Sequence, residues 1–440
     1  MPHDADTGGT TVLVLSGPRL ADGRTVDVRV SAGLVEAVGT PGSLAPTAAE
    51  GTTRVDLSGY LLLPSPAEPH AHHDSALTAE VAGPAPGDPV SVRRRMTEAA
   101  LLQLGHGATA QRTHVRVGGV TGLSALEAAL DARRGLRGLV DLQVVAVPRL
   151  LTGRAGADDR ALLHDAARMG ATALGGSPED DPDPAGFLDV LVEAAAEHGT
   201  DLDLHTEGDD PAALDRVAAA AGGLRGGVGV GPCAGLSRLP GDVLGRTAER
   251  LAGAGVSVIA LPQGNCAFAG SPRPAGHATP VRELRAAGVR VAAGSGALRD
   301  CANPVGRGDP LEAAYLLASL GGAAPEQAYE AVSDRAREAM GLPVVRIESG
   351  HPAELLAVRG DSLGGALALA YSRVVVHRGR VVARTSAVRE YCGSAVPASR
   401  VGAGSGGTVG ACVPLSPEDT ARSPACWSSR SPNAVTRWPG

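Results

Sequence analysis

The chain has 440 residues, of which 43% are hydrophobic and only 2% aromatic, so its core is large and must be built from Ala, Val and Leu. A formal charge of -7, with no basic block, argues against a nucleic-acid partner. All 40 basic residues are Arg, which excludes both a Schiff-base lysine and a carbamylated lysine bridging two metals.

The first ten residues are polar and acidic, and no apolar run is long enough to span a bilayer. The six cysteines (Cys233, Cys266, Cys301, Cys392, Cys412 and Cys426) form no C-x-x-C pair. Reduced thiols and a cytoplasmic location, without membrane association, are the simplest expectation.

In chain order, Thr11–Leu20, Thr25–Val30, Gly33–Gly39 and Thr53–Leu63 read as β segments separated by Gly/Asp turns. Strands and helices then alternate. Pro89–Gly107 is helical, Ala108–Val115 a strand, Leu123–Arg134 a helix and Val140–Val147 a buried strand. Helix Asp158–Arg168, strand Thr172–Gly176, helix Asp183–His198 and strand Asp201–His205 follow. Then come helix Pro211–Ala221, strand Gly227–Gly231, helix Gly241–Gly253, strand Val256–Leu261, helix Thr279–Ala287 and strand Val289–Ser295. Helices are expected over Asp309–Leu320 and Pro325–Met340, and strands over Ala353–Val358, Leu367–Ala370, Ser372–Val376 and Arg380–Ala383.

Eight β/α alternations with Val-rich strands predict a TIM-like (β/α)8 barrel, an α/β fold, with a small β-sandwich domain formed from both chain ends. The expected division is 1–60 for the first part of the sandwich, 61–344 for the barrel and 345–392 for the second part. A Gly/Ser/Pro/Arg-rich tail, expected to be disordered, occupies 393–440. Function in such barrels gathers where strands end, and His70, His114, Arg149, His205 and Ser295 all fall at such ends.

The first barrel strand runs into Glu68-Pro69-His70-Ala71-His72-His73-Asp74. Side chains two apart on extended backbone leave on the same face, so His70 and His72 can grip one ion. His73, His106, His164, His198, His277 and His377 read as ordinary solvated or core histidines.

This stretch resembles the first metal motif of the amidohydrolase superfamily, in its cytosine deaminase branch. Gln111-Arg112-Thr113-His114-Val115, Asp141–Pro148, Leu202-Asp203-Leu204-His205-Thr206 and the Arg299–Pro310 segment resemble further segments of that branch, in order. The resemblance implies a metal-dependent hydrolase with one divalent ion, Zn or Fe, acting on a small-molecule substrate, and it implies metal ligands at His70, His72 and His205. It also implies an aspartate after Gly294-Ser295, a histidine between Gly231 and Cys233, and a glutamate three residues after His205. The chain has Gly296, Pro232 and Gly208 there, with Glu207 one residue short.

Glu207 is the candidate proton carrier, with Asp74, Asp209, Asp210 and Asp300 as alternatives, and Cys233 or Cys301 as substitute ligands. Arg149 replaces a pocket glutamine and Arg116 an acidic residue, while Glu179 stands where the branch has a histidine. Arg149, Arg116 and Asn265 are the candidate substrate contacts, suited to an anionic group and ill suited to cytosine. His114 reads as a scaffold histidine. Two functions follow: hydrolysis of a C–N bond in a nitrogen heterocycle or amide, or a catalytically silent barrel that binds a ligand or partner. A homo-oligomer is compatible with either.

Overall fold

The computed structural model describes residues 12–44, 52–83, 85–264, 278–369 and 372–388. Asn265, Cys266, His277, the first ten residues and the tail beyond 388, with its three cysteines, lie outside the described residues. The body of the chain, up to Ser386, forms one compact unit.

Two eight-stranded sheets organise the fold. Strands β1 (Val12–Arg19), β2 (Thr25–Ser31), β3 (Leu34–Gly39), β4 (Thr52–Asp56) and β5 (Tyr60–Pro64) open the chain. The barrel strands are β6 (Ala67–Ala71), β7 (Ala110–Val117), β8 (Asp141–Pro148), β9 (Ala173–Gly176), β10 (Asp201–Thr206), β11 (Val228–Pro232), β12 (Ser257–Ala260) and β13 (Arg290–Ala293). Strands β14 (Leu355–Arg359), β15 (Arg373–His377) and β16 (Arg380–Thr385) return to the first sheet. The helices are α1 (Pro89–Gly105), α2 (Ser124–Gly135), α3 (Ala157–Met169), α4 (Pro184–His198), α5 (Pro211–Ala221) and α6 (Gly241–Gly253). They continue with α7 (Val281–Ala286), α8 (Pro310–Ser319), α9 (Pro325–Val332), α10 (Asp334–Ala339) and α11 (Leu363–Leu369).

Strands β6 to β13 pair in sequence order, all parallel, and a parallel bridge between Ala71 and Gly296 joins the last to the first. Helices flank this barrel, and Val, Leu and Ala fill the layer between them, as the scarcity of aromatics requires. The second sheet follows the path β16-β15-β14-β5-β1-β2-β3, with β4 also on β1. Both chain ends therefore build it, and β5 enters the barrel directly through β6.

The sheet is fastened to the barrel by a buried ion pair. Arg373 of β15 sends both terminal nitrogens to Asp309, at 2.8 and 2.6 Å, and one of them also to the His106 carbonyl at 2.6 Å. Asp309 doubles as the N-cap of α8, accepting from the Leu311 N–H at 2.9 Å.

The elements agree with sequence expectation except at three places. The expected strand Leu367–Ala370, of which Ala370 lies outside the described residues, is helical over Leu367–Leu369: Leu363–Leu369 is helix α11, started by Ser362, whose Oγ accepts from the Gly365 N–H at 3.2 Å. An apolar run this short carries no period that separates strand from helix. The Thr53–Leu63 segment is two strands broken by a turn at Gly59, whose φ of 79° suits glycine. The Pro325–Met340 helix breaks at Ser333, whose φ and ψ of -116° and -92° end α9 and start α10.

The C-terminal end of α10 covers the floor of the barrel. Arg112 and Gln143 of neighbouring strands reach its last carbonyls, at 3.5 Å to Ala339 and 2.9 Å to Met340. These donors satisfy carbonyls that a helix end leaves open.

Candidate active site

Alternation along the barrel strands decides what enters the lumen. Glu68 and His70 of β6, with His72 just beyond, follow the two-residue period, as do Arg112 and His114 of β7 and Asp203 and His205 of β10. All seven are buried.

The structure brings His70, His72 and His205 together, and adds His114. Nε2 of His70 lies 3.2 Å from Nδ1 of His205. The ring centroids of His72 stand 5.3 Å from His70 and 5.8 Å from His205. One ring nitrogen each from His70, His72 and His114 falls within a 4.8 Å group. Burial, reinforced by the positive potential of His114, pushes His70 down to about 4, and burial with the neighbouring histidines pushes His72 well down too. Both are thus neutral near pH 7, the form that ligates metals.

A buried charge pair supports these rings. Arg112 donates to Asp203 Oδ2 at 3.0 Å, to Asp201 Oδ2 at 2.6 Å and to Gln143 Oε1 at 2.7 Å. Oδ1 of Asp203 lies 3.2 Å from His114 Nε2 and 3.7 Å from His70 Nδ1. Burial alone would raise the Asp203 carboxyl, but His114, His70 and Arg112 hold it far below the usual carboxylate range. Nδ1 of His114 also faces the Ala71 carbonyl at 3.4 Å, yet His114 shares with His70 and His72 a group of nitrogens close enough to hold one ion.

Glu68 closes the site on the side of β13. Its carboxylate accepts from the Ser295 N–H at 2.8 Å, from the Ser295 hydroxyl and from the His70 N–H at 3.3 Å. Burial pushes it up to about 7 against those donors. Ser295 is in turn reached by Gln103 Nε2 at 3.2 Å, and Gln103 Oε1 meets His73 Nε2 at 2.9 Å. His73, pushed down to about 4 by burial, completes a buried polar chain from β6 to α1 and back.

The remaining candidates lie around the rim. Glu207 follows β10, and its main chain accepts from the Gly235 N–H at 2.8 Å. Its N–H donates to Glu179, which also takes the Thr206 hydroxyl. Both carboxylates act on Cys233, whose buried thiol is pushed well up, chiefly by burial and then by Glu179 and Glu207. That thiol is no thiolate ligand in this state.

Arg116 is exposed at the end of β7, with its N–H on the Asp74 carboxylate. Arg149 is exposed one residue beyond β8. Asp209 pairs with Arg238, Asp210 caps α5 at Ala212, and Asp300 holds the Ala302 and Asn303 N–H groups at 2.9 and 3.0 Å. These three aspartates shape loops. Pro232 ends β11 and Gly296, at φ 71°, continues from β13, so neither strand end offers a ligand atom where the resemblance calls for one.

The donor set suits one divalent ion. Two nitrogen ligands of a tetrahedral ion with bonds of about 2.0–2.1 Å stand about 3.3–3.4 Å apart, close to the 3.2 Å between His70 and His205. Three imidazoles with an open fourth position are a known zinc arrangement, and the three whose nitrogens all lie within 4.8 Å of one another are His70, His72 and His114.

Comparison with known proteins agrees with this frame. The model of the amidohydrolase family matches residues 95–383. The chain belongs to the amidohydrolase family. It is 28% identical over 417 residues to pterin deaminase of Rhizobium rhizogenes (strain K84 / ATCC BAA-868), covering 87% of this chain and 93% of that one. Among solved structures, N-isopropylammelide isopropylaminohydrolase from Burkholderia multivorans ATCC 17616 aligns with a TM-score of 0.73 and 27% identity, over 86% of this chain and all of that one. A 5-methylcytosine deaminase from Klebsiella pneumoniae aligns at 0.72 and 22% identity, over 86% and 100%, a likeness of fold. No helix among the described residues is long and apolar enough to cross a membrane.

Proposed function

We propose that the chain is a metal-dependent hydrolase that deaminates, or otherwise cleaves, a C–N bond in a small nitrogen heterocycle or amide other than cytosine. The observation that carries this is the buried group of imidazoles, with His70 and His205 nitrogens 3.2 Å apart at the strand ends of the barrel. Names of similar proteins, a pterin deaminase and an isopropylammelide amidohydrolase, support the same bond class.

His70, His72 and His205 would hold one divalent ion, Zn or Fe. Such an ion supplies Lewis-acid activation of water and of the carbon under attack. Arg112 and Asp203 keep the His70 and His114 rings in place from below. Arg116 and Arg149 at the rim receive an anionic group of the substrate by charge-assisted hydrogen bonds. A carboxylate of Glu207, with Glu179 beside it, takes the proton that water gives up and returns one to the departing nitrogen. The C–N bond breaks as a C–O bond forms, and ammonia or an amine leaves.

The test is metal content of protein purified without chelator or affinity histidines, beside the His70→Ala/His72→Ala variant. About one equivalent of Zn or Fe, lost in the variant, is the expected result. Absence of metal after reconstitution overturns the proposal.

A second function, a silent barrel that binds a ligand, is favoured by Pro232 and Gly296 at two strand ends. Aspartate is among the few residues that tolerate the left-handed backbone of Gly296, so Gly296→Asp with Pro232→His is feasible. Deaminase activity towards pterin that appears only in that double variant assigns the silent role to the native chain.

A further inference from the structure

A second histidine pair lies away from the lumen, between two helices of the outer layer. His164 is in the middle of α3 and His198 is the last residue of α4. Nδ1 of His164 stands 3.0 Å from Nε2 of His198. Glu197 brings one carboxylate oxygen, Oε2, to 3.6 Å from His164 Nδ1 and the other, Oε1, to 4.0 Å from His198 Nε2.

We infer that His164, His198 and Glu197 form a second metal site, taking a borderline divalent cation such as Zn2+ and clipping α3 to α4. Two ring nitrogens facing each other at 3.0 Å need either one shared proton or a cation between them. The 3.0 Å nitrogen pair and the 3.6 Å approach of Glu197 Oε2 to His164 lie either side of the edge of a zinc tetrahedron, about 3.3–3.4 Å, and one ligand atom from each of the three residues lies within 4.8 Å of the other two. Two imidazoles and one carboxylate select Zn2+ or Cu2+ over Mg2+ or Ca2+, which prefer all-oxygen sets. The C-terminal turn of α4 adds negative potential at His198, which favours a cation there. The side chains are 29%, 16% and 61% exposed, so an ion can enter from solvent without passing through the barrel.

The experiment is calorimetric titration of Zn2+ into the full-length chelator-treated chain and into its His164→Gln/His198→Gln variant. The variant is expected to bind one equivalent fewer, or to bind that equivalent at least about tenfold more weakly, the lower end of what losing even an outer partner of a ligand costs. Equal stoichiometry and affinity in the two proteins overturns the site. The comparison does not depend on the barrel, because both proteins keep His70, His72 and His205. Repeating the pair on a His70→Ala/His72→Ala background should leave the one-equivalent difference intact. A difference that disappears there overturns the site, whereas loss of the barrel equivalent alone bears on the proposed hydrolase.

Discussion

The two sides of the barrel mouth differ in kind. Strands β6, β7 and β10 send polar side chains into the lumen at every second position, tied through Asp203 and Arg112 into one buried charge network. Strand β11 ends in Pro232 and β13 is followed by Gly294-Ser295-Gly296, where the carboxylate partner of Ser295 is Glu68 from across the seam. A polar lumen is expensive unless every group is paired. The furnished side therefore stands or falls as a unit, whereas the bare side is held by close packing and by contacts outside the lumen.

Removing the Arg112 guanidinium is the strongest way to break that contrast. Arg112→Met leaves Asp203, fully buried, and Asp201 without their cation. A loss of about 3–5 kcal/mol is expected, as for other buried pairs with one partner deleted, measured by urea denaturation. A loss under about 1 kcal/mol would mean that the furnished side is not held by its charges.

The outer clamp of the bare side comes next. Asp309→Asn should cost about 1.5–3 kcal/mol at neutral pH, the range for hydrogen bonds to a charged group, since Arg373 loses its carboxylate partner. Burial would raise the Asp309 carboxyl, yet Arg373 holds it below its ordinary value. A folded value below the unfolded one means that the stabilisation is fully present above the unfolded value, about 3.9, and is lost as pH falls through the folded value. Urea curves of parent and variant should therefore begin to converge only as pH falls below about 3.9 and meet once pH is below the folded value. A gap that persists there points to lost packing instead of lost charge.

The smallest effect concerns the seam. A Cβ built on Gly294 would overlap Oε1 of Glu68. Gly294→Ala should therefore destabilise by about 1–3 kcal/mol, the usual cost of overpacking. Glu68→Ala should relieve much of it, so a double-mutant cycle with a coupling near zero would show that Glu68 does not fill that space.

Much of the site was legible because a strand has a fixed period. The same alternation that pairs His70 with His72 extends backward to Glu68, and links Arg112 to His114 and Asp203 to His205. What the pattern lacks is distance across the lumen. Arg112 reaches Asp203 from a strand three places away in the sheet, a contact set by barrel closure and stagger and not by local sequence. His164 and His198 were opaque for a similar reason: nothing in either helix signals that the other lies 3.0 Å away. Helix α11 was missed because four apolar residues fit either period.

The terminal sheet also fixes an order of events during synthesis. Strand β5 pairs antiparallel with β14, Leu62 opposite Ala357 and Leu63 opposite Leu356, and β14 leaves the ribosome only after all eight barrel strands. The strand that leads straight into His70 therefore waits, with one edge unpaired, until the whole barrel has been made. Contacts this distant in sequence form late and slowly, and until then β5 exposes a hydrophobic edge of the kind that pairs with other chains. A ribosome that stalls before Leu355 releases a product whose barrel lacks the latch at its entrance, which makes completion of the last strands the step that commits the molecule to its fold.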